Sequence, residues 1–117
     1  MDIRTPDTII HELVEIRREA AKGVEAQFAA EEEMVKLVLA AERTEALAVL
    51  EAQGTVVDRQ AIAKLKSEEA RLAADLAKAK LNRIKTKLRQ LSEAQMNVQT
   101  QARMVELTYK TAGIGER

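Results

Sequence analysis

The residues best placed to do chemistry lie together at 78–89, KAKLNRIKTKLR. This stretch holds six cations, Lys78, Lys80, Arg83, Lys85, Lys87 and Arg89, and no acid, and no acid occurs between Asp75 and Glu93. On a helix the cations fall into two groups. Lys80, Arg83 and Lys87 flank one side of the apolar line Leu81-Ile84-Leu88, and Lys78, Lys85 and Arg89 flank the other. Cations packed this densely suit a phosphate backbone. They equally suit the flanks of a coiled coil, where they pair with acids of a neighbouring helix. The other reactive side chains are weaker candidates. His11 is the sole histidine, with Asp7 and Glu15 four residues to either side, which is a fragment of a metal site and reads as an ordinary surface group. Glu31, Glu32 and Glu33 are consecutive, so on a helix they point in different directions and form a solvated face. No phosphate-binding glycine loop, nucleophile elbow or zinc-protease motif is present. No enzyme activity, cofactor or metal is expected.

If the cations meet nucleic acid, the mode is narrow. The only aromatic residues are Phe28 and Tyr109, and Phe28 is expected in the core, so base stacking is not expected. No basic region leads into a zipper and no helix-turn-helix spacing is visible. Contact would be with the backbone, salt-sensitive and weakly dependent on sequence.

The elements that carry these residues are helices. Thr5-Pro6-Asp7 is a helix start, with a capping hydroxyl, a proline at the first position and an acid at the positive end of the dipole. Gly54 ends the run as a left-handed cap, and Thr55-Val56-Val57-Asp58 restarts it in a capping-box pattern. The reading is all-α, a coiled-coil-like antiparallel two-helix hairpin in one domain over residues 1–112. Helix one runs about 6–53, with Gly23 its weak point. The turn is at 54–55 and helix two runs 56–112. Gly113-Ile114-Gly115 stops it, leaving a flexible tail at 113–117. A single bent helix, both halves pairing with another chain, is the alternative.

Helix two carries a line spaced by threes and fours: Leu81, Ile84, Leu88, Leu91, Gln95, Val98, Ala102, Val105 and Tyr109. Upstream, Ile62, Leu65, Glu69, Leu72, Leu76 and Ala79 follow the same spacing in another phase, which predicts a stutter near 76–81. In helix one the larger apolar residues Ile10, Leu13, Val24, Phe28, Val35, Val38, Ala46 and Val49 make a less regular stripe, and residues 34–41 (MVKLVLAA) are apolar almost all round. A face that broad wants more than one neighbour. The expectation is a homo-oligomer contacting itself through Val35, Leu37, Val38, Leu39, Leu47 and Leu50.

Composition narrows the field. The chain has 117 residues, 32% of them charged and 2% aromatic, and no cysteine. It therefore has no disulfide framework and no thiolate metal site. No apolar run reaches a membrane-spanning length, and MDIRTPDT lacks the pattern of a secretory leader. A cytoplasmic place, with no membrane partner, is expected. The net charge of zero hides an asymmetry. Residues 1–54 hold 12 acids and 6 bases, and residues 55–117 hold 7 acids and 13 bases. In a hairpin closed at Gly54, residues 78–89 would face about 19–30, and Glu31-Glu32-Glu33 would lie opposite about 75–77. Most of the basic block would then lack an acid within the chain.

A long helix, then EAQGTVVDRQAIAK, then a basic helix ending KLRQLSEAQMNVQTQARMVE resembles small helical-hairpin proteins of double-stranded DNA phages. More loosely, residues 31–110 resemble the UvsY-type recombination mediators of T-even phages. The resemblance implies an oligomer that binds single-stranded DNA through the basic belt and works beside a recombination protein. It also implies that the apolar stripe of helix one builds the oligomer, in the cytoplasm of a phage's host. The alternative is a scaffold, adaptor or inhibitor that acts through helix packing without nucleic acid.

Overall fold

The structure, a computed structural model, describes residues 5–115, with side chains as far as residue 111. Among these residues there are three helices and no strand: α1 (Pro6–Glu51), α2 (Val56–Lys66) and α3 (Glu68–Gly115). The all-α expectation holds. No helix is long and apolar enough to cross a membrane among the described residues.

The start of α1 is capped as its sequence implies. Thr5 Oγ1 accepts from the Thr8 N–H at 3.2 Å, and the Thr5 carbonyl accepts from the Ile9 N–H at 3.1 Å. Gly54 takes a φ of 113°, a conformation open to glycine at no cost, and α1 stops at Glu51, two residues before the expected end. Thr55 caps α2, its hydroxyl accepting from the Asp58 N–H at 3.2 Å.

Helix two departs from expectation in two places. It is interrupted at Ser67, with φ −95° and ψ 5°. The Ser67 hydroxyl and the Arg71 guanidinium both donate to the Lys64 carbonyl, at 3.4 and 2.6 Å. These side chains stand in for a helical amide, which explains how the break is tolerated at a residue with no solvent exposure. The expected stop at Gly113 is absent, and α3 continues to Gly115. Glycine permits a left-handed turn without imposing one. The remainder of the expected tail, residues 116–117, lies outside the described residues.

The chain divides into two compact units, Ala26–Lys85, and Met1–Glu25 with Thr86–Arg117. In the Ala26–Lys85 unit the buried line is made of small residues. Ala30, Ala41 and Ala48 of α1 are buried, as are Ala63, Ser67, Ala74, Ala77 and Leu81 of the α2–α3 side. Together with the half-buried Met34, Leu37, Ala70 and Ile84, they repeat at threes and fours. The stutter expected at 76–81 is therefore absent. Burial passes through alanines in one phase, and the supposed second line is on the outside, with Leu65 72% and Leu76 62% exposed. In α1 likewise, Phe28 is 66% and Leu50 80% exposed, so Phe28 is not a core residue.

The second unit is packed differently. Ile9, Leu13, Ile16, Ala20 and Gly23 form the covered line of α1, and Leu88, Leu91, Gln95, Val98, Ala102 and Val105 that of α3. Tyr109, expected on this line, is exposed. Gly23 is where the helices need glycine. A Cβ there would overlap Leu88 Cδ2 and lie 3.2 Å from Leu88 Cγ. Gly23→Val should therefore lower stability by about 1–3 kcal/mol through overpacking. Adding Leu88→Ala should recover more than the two single effects allow, as read by thermal unfolding followed by circular dichroism.

Candidate nucleic-acid interface

All six belt cations lie on α3 and are exposed. Lys78, Lys80, Arg83 and Lys85 belong to the Ala26–Lys85 unit, Lys87 and Arg89 to the other. At 1.5 Å per residue the twelve-residue stretch spans roughly 18 Å of helix. One ion pair is made across the Ala26–Lys85 unit, from Lys80 Nζ to Glu33 Oε2 at 3.7 Å. Lys78, Arg83, Lys85, Lys87 and Arg89 make no ion pair among the described residues.

The Glu33–Lys80 contact corrects the expected register, which set the acidic cluster beside 75–77. Ser67 interrupts the side that carries Lys80. Glu42 and Glu45 border one groove with Gln60 and Lys64, and a second with Arg71, Ala74, Asp75 and Lys78. The same stretch of α1 thus borders both sides of the break.

The structure also shows cations that the sequence reading left out. Lys64, Arg71, Lys78 and Lys85 recur every seven residues along one flank of the buried line, and Lys66, Lys80 and Lys87 lie along the other, all exposed. The signal was the seven-residue spacing, hidden by following leucines where burial follows alanines. Arg71 is already engaged with the Lys64 carbonyl.

The remaining expected site residues are placed as follows. Val35, Leu39, Leu47 and Leu50 are exposed, whereas Leu37 and Val38 are half-buried within the chain. His11 is exposed, and no group of three or more potential metal ligands occurs among the described residues. Glu31 accepts from Gln27 Nε2 at 3.1 Å and Glu32 from Lys36 Nζ at 3.1 Å, so two of the three consecutive acids are tied along their own helix. On the Ala26–Lys85 unit, Lys78, Lys80, Arg83 and Lys85 can hold a polyanion electrostatically, and Lys78 also borders a polar groove with Glu42, Glu45, Arg71 and Asp75.

No family model matches the chain, and no curated protein or solved structure matches it either.

The Lys80–Glu33 pair is exposed on both sides, so Glu33→Gln should change stability by less than about 1 kcal/mol. It should also delay elution from a heparin column by freeing Lys80. Arg71→Met, which strips a donor from the Lys64 carbonyl, should cost about 1 kcal/mol. Urea unfolding and heparin salt gradients read both effects.

Proposed function

We propose that this chain is a long antiparallel helical hairpin that self-associates and binds the backbone of single-stranded DNA through its basic belt. The observation that carries the reading is the belt itself: six exposed cations within twelve residues of one helix, of which one meets an acid among the described residues. Cations left without acids attract phosphates, and release of counterions on contact gives the binding its free energy. The exposed leucines and valines of α1 support self-association, since apolar residues on one helix face mark contact surfaces. A narrower role beside a phage recombination protein rests on the resemblance of the sequence pattern.

A second reading draws on a separate observation. Phe28, Leu50, Leu65 and Leu72 are all more than half exposed, which favours a protein that works by packing helices against a partner. Salt separates the two readings. DNA binding weakens steeply with salt, whereas apolar packing does not.

Fluorescence anisotropy of a labelled single-stranded oligonucleotide, titrated at several salt concentrations with a duplex control, tests the proposal. Binding should favour the single strand and weaken as salt rises. Replacing Lys80, Arg83 and Lys87 with Gln should reduce the slope of log K against log salt by about 0.7 per lost contact. A slope unchanged in that variant would remove the belt from the interface.

A further inference from the structure

The buried alanine line divides the surface of the Ala26–Lys85 unit into two edges, and their charges differ. Followed by helical position, every charged residue in 31–45 of α1 and 64–85 of the α2–α3 side falls to one side of that line or the other. The first edge carries the cations Lys64, Arg71, Lys78 and Lys85 and the acids Glu31, Glu42, Glu45, Glu68 and Asp75, four against five. The fold brings these signs together. Glu42 and Glu45 share one groove with Lys64 and another with Arg71, Asp75 and Lys78, while Glu68 and Asp75 border Arg71. The second edge carries Lys36, Arg43, Lys66, Lys80 and Arg83 and the acids Glu32, Glu33 and Glu69, five against three. The Lys80–Glu33 pair at 3.7 Å joins the two helices along this edge. Glu32 is tied to Lys36 at 3.1 Å. Arg43, Lys66 and Arg83 make no ion pair among the described residues.

From this we infer that single-stranded DNA lies along the second edge, where α1 adds Lys36 and Arg43 to the contacts made by Lys66, Lys80 and Arg83. The inference rests on the DNA-binding part of the proposed function and narrows it. Of the belt cations in this unit, Lys80 and Arg83 touch the strand, and Lys78 and Lys85 do not. Two observations select the edge. The first is repulsion. A phosphate brought to the first edge meets carboxylates in the same grooves as the cations, well inside the screening length of about 10 Å at 0.1 M salt. The second is access from both helices. All five cations of the second edge are exposed, and Lys36 and Arg43 stand seven residues apart, roughly 10 Å along α1. The two ion pairs on this edge are exposed as well, so exchanging their carboxylates for phosphates costs little. Lys36 and Arg43 escape a reading by sequence halves, because they sit in the acidic one and reach this edge only through the fold.

The test compares two full-length variants that lose the same charge from opposite edges. One carries Lys36→Gln, Arg43→Gln and Lys66→Gln, all outside the belt. The other carries Lys64→Gln, Lys78→Gln and Lys85→Gln. All six positions are exposed, and circular dichroism verifies that both variants stay helical. Each is titrated into a labelled single-stranded oligonucleotide at several salt concentrations and followed by anisotropy. The second-edge variant should lower the slope of log K against log salt by about 0.7 per lost contact, roughly 2 in all. The first-edge variant should keep the wild-type slope. Equal falls in both would overturn the choice of edge, and a fall in the first-edge variant alone would put the strand on the other side. An unchanged slope in the second-edge variant, beside a lowered slope when Lys80, Arg83 and Lys87 are replaced, would overturn the α1 contacts and leave the DNA reading standing. A wild type that binds no oligonucleotide at low salt would overturn both. If a triple variant loses helicity, the pair Lys36→Gln with Lys66→Gln is compared with Lys78→Gln with Lys85→Gln, and the expected fall in the first of these is about 1.4.

Discussion

Close approach of helices through alanine governs the Ala26–Lys85 unit. Where side chains are as small as those of Ala30, Ala41, Ala74 and Ala77, interaxial distances fall toward the short end of the usual 8–10 Å. The contact gains close packing but removes little apolar area from water, because the hydrophobic gain scales with the carbon buried. The large apolar residues are thereby left outside, and the helices remain short of a complete core. The other unit, with Ile9, Leu81's successors Leu88 and Leu91, and Val98 on its covered line, follows the ordinary pattern of large residues inside.

The same arrangement sets the electrostatics. Cations at heptad flanks normally meet acids on the facing helix, yet the facing stretch of α1 offers Glu33 to Lys80 and little else to the belt. Glu33 meets the belt at Lys80, and Glu42 and Glu45 border grooves on both sides of the break at Ser67, one of them shared with Lys78. How many belt cations meet an acid among the described residues is thus a matter of register as much as of composition.

Much of the fold was legible in the sequence. Thr5, Gly54 and Thr55 mark the helix ends by local chemistry that acts within four residues, and local chemistry is what sequence displays. The line from Leu81 to Val105 was legible because large residues occupy it. The line through Ala63, Ser67, Ala70, Ala74 and Ala77 was not, because alanine is common on every face of a helix and carries little hydrophobic contrast. Following leucines led to the outer stripe and to a stutter that the chain does not have. Gly23 read as a weak point, yet it receives Leu88, a role that depends on a residue far away in sequence. The belt cations themselves were legible, but the Lys80–Glu33 pairing was not, since it depends on a register between residues far apart in sequence.

The break has a consequence for how the molecule opens. α2 has 11 residues, fewer than an isolated helix needs to persist in water. Its hydrogen bonds with α3 pass through Ser67 and the Arg71 side chain, in place of an unbroken backbone ladder. Cooperativity is therefore weakest at this joint, and α2 becomes a separate unit of opening, whose amides exchange with solvent at a lower free energy than those of α3 beyond it.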